Sequence, residues 1–515
     1  MPQPPNLLLI TTDQQRWDSL SLYGRGGYRT PVLDRLGAEG RVFDRAYCSS
    51  PLCTPTRVSL LTGMYPSRHG AFTIGTPHVP ALEGPTLPRL LKHAGYHSAI
   101  IGKTHFVARA LEQNHVAGRF DAACDDPDPD PSFWRDFDGP YVGFDFVRHC
   151  AVHTNDRLPE AHYRAWLDER GVNLDDRHQD RDLAERKDGV PRLGRWDVPL
   201  EYHQTEWITS ETLDYLRRRQ ETRQPWFCWT SFQDPHPPYV CPEPYFGDAD
   251  VSGMDLGGWI EGEFDDKPPF YRRLLEGEYW SDEHRMFCQP GGNVPNASLY
   301  DHVADPKTAI RAYVGMCSMI DDHVGRIVEG LDELGCRETT LRGFTSDHGD
   351  YLGRHGFGGE GLPPYDDCQR VPFVVNWPAG MADAPRGRSE APVSVVDSPA
   401  TFLEAAGLEQ GVGMQGVSQL PVLTGERERA RDWVLVEFEP THEVAQRSFV
   451  CGDYKLVIYR DAEYGELYNL REDPDQLTNL WDHESVAPLR ARLMHRLARA
   501  DVQREGRLPP RVSHA

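Results

Sequence analysis

The stretch NLLLITTD, residues 6–13, decides the fold class. It has a continuous apolar centre, no basic segment before it and no small-residue cleavage site, so we interpret it as a buried β-strand and not as a signal peptide. Further signals alternate behind it: the helices TPVLDRLGAEG (30–40) and LPRLLKHAGY (87–96), then the strand HSAIIGK (97–103). This alternation predicts an α/β fold with a large, mostly parallel sheet flanked by helices.

The same patterns predict two structural units. A catalytic α/β domain is expected over 1–428, with insertions at about 121–200 and 246–305, where the strand and helix rhythm is lost. Over 429–515 the β-runs WVLVEFE, RSFVCGD and YKLVIYR are followed by the helix VAPLRARLMHRLARA. We therefore expect a small C-terminal α+β subdomain with an antiparallel sheet and a terminal helix.

Composition limits the partners and the compartment. The formal net charge is −24, which argues against nucleic acid and against an anionic membrane, and no apolar run reaches transmembrane length. An anionic substrate would therefore need a local positive pocket. The eleven cysteines are odd in number and lack metal-finger spacing. Free thiols of this kind favour a reducing compartment, and we expect the cytoplasm.

Several predicted strands are followed directly by polar side chains: Asp13, Gln14, Lys103, His105, His236, Asp347 and His348. Ligands of doubly wound sheets bind outside the carboxyl ends of the strands, so these groups are expected to meet at one edge. Loop residues facing water are the alternative for each of them singly. Jointly, Asp13, Gln14, Asp347 and His348 predict an oxygen-rich site for one divalent ion, with calcium favoured, manganese second and structural zinc disfavoured.

The stretch CTPTRVSLLTG, residues 53–63, predicts a helix that begins just after Cys53. Thr54 is a good N-cap, Pro55 a good first helical residue and Gly63 a stop signal. Cys53 would then lie at the positive end of the helix, beside the Arg57 guanidinium, in a position that suits an anion and an activated nucleophile. A buried loop cysteine is the alternative.

These motifs together resemble the type I sulfatases of the alkaline phosphatase superfamily. CTPTRVSLLTG matches the C-x-P-x-R…L-T-G pattern, GKTHF the G-K-x-H element and DPHPPYVCPEPY the P-H-x-P-[FY] element. SDHGDYLGRHG matches the later metal-binding segment, and GELYNLREDPDQLTNL the terminal subdomain. The Asp-Gln and Asp-His pairs are most similar to those of choline sulfatases and phosphonate monoester hydrolases.

The resemblance implies a mechanism and residue roles. Cys53 would be oxidised by a formylglycine-generating enzyme, and one hydroxyl of the hydrated aldehyde would attack sulfur while held on the metal. Position by position, the resemblance makes Asp13, Gln14, Asp347 and His348 the metal ligands, with residue 53 beside them. It makes Arg57 the group that holds the hydrate, Lys103 and His236 the contacts to sulfate and leaving group, and His105 a helper at the aldehyde end. The implied substrate is a small anionic sulfate ester, and a homo-oligomer is a further expectation.

One position departs from the family pattern. Related sequences often carry a sulfate-contacting lysine where HGFGGEGLPPYDD has Glu360. In one interpretation Glu360 turns away or pairs with a nearby arginine; in the other it contacts the substrate, which would then be cationic or amino-bearing.

Two rival functions remain open. Phosphonate monoester or phosphodiester hydrolysis on the same scaffold is favoured by the Asp-His metal pair and disfavoured by Lys103 and His105. A binding protein that keeps the fold without turnover is supported only by Glu360.

Overall fold

The protein is described from a computed structural model, which covers residues 4–74, 76, 78–107, 131–150, 161–172, 183–187, 190–196, 199–254, 257–275, 306–440 and 444–505. Both predicted insertions, 121–200 and 246–305, lie partly outside these ranges. Among the helices of the described part, none combines the length and the apolar character needed to cross a membrane.

The centre of the molecule is an eight-stranded sheet with the order β11-β2-β10-β9-β1-β7-β3-β4. All neighbouring strands in it run parallel except at β10, which is antiparallel to both β9 and β2. The mostly parallel sheet predicted from the sequence is thus confirmed. Its strands are β1 Asn6–Thr12, β2 Arg41–Tyr47, β3 His97–Gly102, β4 Phe146–His149, β7 Trp226–Ser231, β9 Thr340–Ser346, β10 Phe373–Asn376 and β11 Gly387–Ser394.

Two smaller sheets make up the rest of the β-structure in the described ranges. One has the order β5-β6-β8 and the other, near the C-terminus, β12-β13-β14-β15. Their strands are β5 Leu183–Lys187, β6 Val190–Trp196, β8 Tyr239–Pro242, β12 Trp433–Phe438, β13 Gln446–Cys451, β14 Tyr454–Tyr459 and β15 Gly465–Asn469.

Helices cover both faces of the main sheet. Among the residues that the structure describes, the α-helices are α1 Pro31–Glu39, α2 Cys53–Thr62, α3 Pro66–His69, α4 Leu87–His93, α5 Pro131–Asp136, α6 Ala161–Glu169, α7 Gln204–Thr222, α8 Tyr245–Asp248, α9 Phe270–Leu275, α10 Pro306–Glu333, α11 Asp366–Gln369, α12 Asp397–Ala405, α13 Leu420–Leu423 and α14 Ala487–Gln503. Short 3₁₀ turns occur at Ser21–Tyr23, Pro80–Glu83, Leu200–Tyr202 and Glu484–Val486.

Strand β1 shows why its sequence is apolar without alternation. Leu8 and Ile10 pack in one core cluster with residues of α1, α7 and α10, whereas Leu7 and Leu9 pack in another with residues of α2, α4 and α12. Because successive side chains of a strand point to opposite faces, a strand covered on both sides needs apolar residues at every position.

The C-terminal subdomain is a four-stranded antiparallel sheet with a terminal helix, as expected. Val434 and Val436 of β12 join a core cluster of the main domain, whereas Leu435 packs with Leu493 and Leu497 of α14. The sheet is therefore packed on both faces, against the core around the main sheet and against its own helix.

Gly102 ends β3 and sets the direction of the chain just before Lys103. Its φ is 105°, in the region that favours glycine, and a Cβ built there would lie 1.9 Å from the Ser231 carbonyl oxygen on β7. Backbone strain alone should cost about 1–3 kcal/mol, and we expect Gly102→Ala to destabilise the fold by more than this, because the clash with the Ser231 carbonyl adds to it; urea unfolding measures the loss. Gly95→Ala, where a Cβ meets nothing within 4 Å at a φ of 86°, is the control for φ without a clash.

Candidate active site

Four neighbouring strands deliver the candidate residues to one edge of the sheet. In the spatial order β9-β1-β7-β3 all strands are parallel, so their carboxyl ends lie side by side. Asp347 follows β9, Asp13 follows β1, His236 follows β7 after a short turn, and Lys103 follows β3. Residues far apart in the chain are thereby brought together, as expected for this topology.

Helix α2 brings Cys53 and Arg57 to the same place. The helix begins at Cys53 itself with Leu52 as its N-cap, and the Thr54 hydroxyl makes no cap. The prediction that Thr54 caps the helix was therefore wrong by two residues, because Leu52 adopts the extended conformation (φ −141°, ψ 145°) that a cap position requires. All ten residues of α2 are buried.

The Arg57 guanidinium contacts both of the buried aspartates, Asp13 and Asp347. Its Nε donates to Asp347 Oδ2 at 2.9 Å and its Nη2 donates to Asp13 Oδ2 at 3.1 Å. Its Nη1 donates to Ser231 Oγ at 2.8 Å and to the Lys103 carbonyl oxygen at 3.1 Å. The Lys103 ammonium also pairs with Asp13. Two cationic side chains therefore face two carboxylates, and all four residues are at most 3% exposed.

These charges fix the ionisation of the groups that they touch. Burial alone would raise the pKa of Asp13, but Lys103, His236 and Arg57 together hold it well below its usual value. Burial would likewise lower the pKa of Lys103, and the Asp13 carboxylate raises it instead. Asp13 is thus a carboxylate and Lys103 an ammonium at neutral pH.

The Cys53 sulfur lies at the centre of the group. It is 3.3 Å from His348 Nε2, 3.7 Å from Asp13 Oδ1 and 3.7 Å from Glu360 Oε2. Burial, with the charges of Asp13 and Glu360, raises the pKa of this thiol to about 12. The expectation of an activated thiolate at a helix N-terminus is therefore not met, since burial and the nearby carboxylates outweigh the positive charges of Lys103 and His348.

The donor set fits one divalent ion. One potential ligand atom from each of Asp13, Cys53, Asp347 and His348 lies within 4.8 Å of the others. His348 Nδ1 contacts the Gly349 carbonyl oxygen at 2.9 Å, so this nitrogen carries the proton and Nε2 faces the group. Gln14 Oε1 is buried and accepts no hydrogen bond from the residues that the structure describes. Such an oxygen is suited to a hard cation.

Asp350, which the sequence analysis did not single out, orients Gln14. Its Oδ2 accepts hydrogen bonds from Gln14 Nε2 and from the Tyr239 hydroxyl, each at 2.8 Å, and its Oδ1 accepts from the Leu352 N–H at 2.7 Å. The Gln14 amide nitrogen is thereby held away and Oε1 is left for an ion. Position 350 in SDHGDYLG is within a recognisable motif, but the partner 336 residues away is visible only in the fold.

We expect Asp350→Ala to weaken calcium binding by about 10- to 100-fold, because the Gln14 amide loses the group that orients it. Isothermal titration of calcium into the apo protein measures this directly. Asp322→Ala removes an exposed carboxylate that accepts a hydrogen bond from the Tyr245 hydroxyl, and should leave the affinity unchanged. Equal calcium affinity in the two variants would contradict the role of Asp350.

Glu360 faces the candidate site. Its side chain is 2% exposed, with Oε2 at 2.6 Å from His348 Nε2, and Oε1 accepts no hydrogen bond from the described residues. Its neighbours Gly359 and Gly361 have φ values of 75° and 100°, which turn the loop at this point. The interpretation in which Glu360 turns away or pairs with an arginine is not met, because this loop places the carboxylate against a histidine.

The two remaining candidate residues are His236 and His105. His236 is buried, and one of its ring nitrogens lies within 4.8 Å of ligand atoms of Cys53 and Glu360; burial lowers its pKa. His105 lies two residues beyond Lys103, half-buried, with a φ of 50°. Its role at the aldehyde end stays a prediction.

Comparison with known proteins adds to this geometry. The family model "Sulfatase" matches residues 5–408, and the model "N-sulphoglucosamine sulphohydrolase, C-terminal" matches residues 353–503.

Similar proteins cover nearly the whole chain. An arylsulfatase of Clostridium perfringens is 26% identical over 93% of this chain and 91% of its own, and a choline-sulfatase of Rhizobium meliloti is 26% identical over 92% and 82%. The crystal structure of a phosphonate monoester hydrolase of Agrobacterium radiobacter superposes with a TM-score of 0.74 at 24% identity, covering 97% of this chain and 96% of that one. This last likeness concerns the fold.

Proposed function

Because the chain belongs to the Sulfatase family, we propose that it hydrolyses a sulfate ester to an alcohol and inorganic sulfate, with formylglycine derived from Cys53 and one divalent ion, calcium or manganese. The observation that supports this most is the convergence of Asp13, Asp347, His348 and Cys53 within 4.8 Å. Named relatives that are sulfatases support the same reaction class.

The ion and the modified residue would each contribute one kind of chemistry. An ion held by Asp13, Gln14, Asp347 and His348 would supply positive charge beside the ester oxygens. Formylglycine at position 53, in place of the thiol present in the structure, would supply a hydroxyl nucleophile in its hydrated form. The high pKa of the unmodified thiol supports this choice, since the cysteine itself offers little thiolate at neutral pH.

The chain's own residues would position the reactants. Arg57 is fixed by four hydrogen bonds to other groups. We therefore assign it the role of positioning residue 53 relative to the carboxylates of Asp13 and Asp347. Lys103, whose charge is secured by Asp13, would face the sulfate. His236 would contact the leaving-group oxygen, and His105 would assist at residue 53. Preorganised donors of this kind stabilise charge that develops on oxygen.

Glu360 belongs to the substrate-contacting residues in this proposal, because its carboxylate lies 3.7 Å from the Cys53 sulfur, which stands where the hydrate oxygens would be. The cytoplasm as compartment, a formylglycine-generating enzyme as partner and a homo-oligomeric state belong to the same proposal.

Phosphonate monoester or phosphodiester hydrolysis is the second candidate, favoured by His348 among the proposed ligands. Comparing kcat/KM on phenyl sulfate and on a phenyl phosphonate monoester separates the two. We expect phenyl sulfate to be preferred. A preference for the phosphonate would establish the second candidate, and an inert protein that contains calcium and formylglycine would contradict both.

A further inference from the structure

Glu360 differs from the other carboxylates of the candidate site in its contacts. Asp13 and Asp347 each accept a hydrogen bond from Arg57, and Asp13 also pairs with Lys103. Glu360 contacts the imidazole of His348 and the sulfur of residue 53, and no arginine or lysine within 4.0 Å in the described part of the chain. Within the described ranges, Glu360 is therefore paired with a histidine and with no arginine or lysine. Burial alone would lower the pKa of His348, but Asp347 and Glu360 raise it, so this imidazole offsets only part of the negative charge around Glu360.

Resting on the proposed function, we propose that Glu360 makes this site selective for singly charged esters against doubly charged anions, the sulfate product included. The carboxylate acts as a specificity-determining group by repulsion, which complements the attraction supplied by Arg57 and Lys103.

The distances determine the size of this effect. A sulfate group bonded to, or in contact with, the oxygen of residue 53 would lie within a few ångströms of Glu360 Oε2, which is 3.7 Å from the Cys53 sulfur. A sulfate ester carries one negative charge, whereas free sulfate carries two. Coulomb repulsion from a fixed carboxylate doubles when the charge of the anion doubles. Because Glu360 is buried, dissolved salt screens this repulsion only weakly.

The consequence concerns both ends of the reaction. The singly charged ester binds with a modest loss of affinity. Sulfate is released more readily, because hydrolysis has given it a second charge. Phosphate monoesters, which are doubly charged at neutral pH, would be refused at binding. A lysine at this position, as in the family pattern that the sequence resembles, would have the opposite preference.

The test uses a pair of probes that share a tetrahedral sulfur and differ in charge: sulfate and methanesulfonate. Affinities are measured by isothermal titration calorimetry on the calcium-loaded protein in a Cys53→Ala background, so that turnover plays no part. The series is Glu360 (unchanged), Glu360→Gln and Glu360→Lys, with Glu261→Gln as a control that removes one exposed carboxylate elsewhere. Thermal unfolding of each variant verifies that it is folded.

We expect Glu360→Gln to raise the affinity for sulfate relative to methanesulfonate at least about tenfold, and Glu360→Lys to raise it further. Glu261→Gln should leave the ratio unchanged. A ratio that stays constant along the series, or that Glu261→Gln changes equally, would overturn the proposal. Failure of the proposed function is seen separately, as absence of phenyl sulfate hydrolysis by the unmutated protein, and does not affect this ratio.

Discussion

A Cys53→Ala variant is expected to lose sulfate ester hydrolysis by about four orders of magnitude or more. Alanine cannot be oxidised to an aldehyde, so the nucleophile disappears while the cation-rich pocket around it persists, and losses of this order accompany removal of a nucleophile. The measurement is kcat/KM on phenyl sulfate, with the calcium content of both proteins determined in parallel.

Cys48→Ala is the matched control, because Cys48 is an equally buried cysteine five residues earlier, in contact with the backbone of Cys368. It should keep activity within a small factor. Peptide mass spectrometry over residues 45–68 should show the mass of an aldehyde side chain at position 53 and an unmodified thiol at position 48. Activity of Cys53→Ala within tenfold of the unmutated protein would contradict the proposed nucleophile.

The second large effect is on stability. Arg57→Ala should lower the free energy of unfolding by about 3–5 kcal/mol, because it leaves the carboxylates of Asp13 and Asp347 buried and without the guanidinium that binds both. The Arg57 side chain is 0% exposed, so the two carboxylates lose a partner in a place that bulk solvent does not reach in the unmutated fold. Urea unfolding of the metal-free protein measures this term without the contribution of a bound ion.

Arg217→Ala provides the comparison for this result. Arg217 pairs with Asp214 at 2.7 Å with more than half of each side chain exposed, and its removal should cost less than about 1 kcal/mol. Arg57→Lys should fall between the two, since it keeps the charge but cannot bond both carboxylates in the same way. If Arg57→Ala were no more damaging than Arg217→Ala, the buried network would not hold this edge of the sheet together.

The fold could be predicted where the apolar pattern of a segment matches the faces that the segment buries. Strand β1 is apolar at every position because both of its faces are covered, and α10 shows a long amphipathic pattern because one face packs on the sheet. Strand β2 was not predicted from the sequence, because RVFDRAY carries Asp44 and Arg45 at partly exposed positions. Strand β4 lies within the range predicted as the first insertion, since four edge residues give too short a signal.

The direction of β10 could not be predicted at all. RVPFVVNWP indicates a strand, but its antiparallel course depends on pairing with β9 and β2, which are distant in sequence. The candidate site shows the same division. Its residue types and their positions after strands are evident in the sequence, whereas the Asp350–Gln14 contact and the position of Glu360 depend on how loops fold back across the site.

The burial of helix α2 has a consequence for the order of events in the cell. Residue 53 is 1% exposed and begins a helix whose ten residues are all buried, so in the described part of the chain its side chain does not lie at the surface, where another protein's catalytic centre could reach it. If residue 53 is oxidised as proposed, the oxidising enzyme would act on the polypeptide before it folds, during or soon after synthesis. A chain that folded first would keep the thiol, and the yield of active protein would then depend on the relative rates of folding and oxidation.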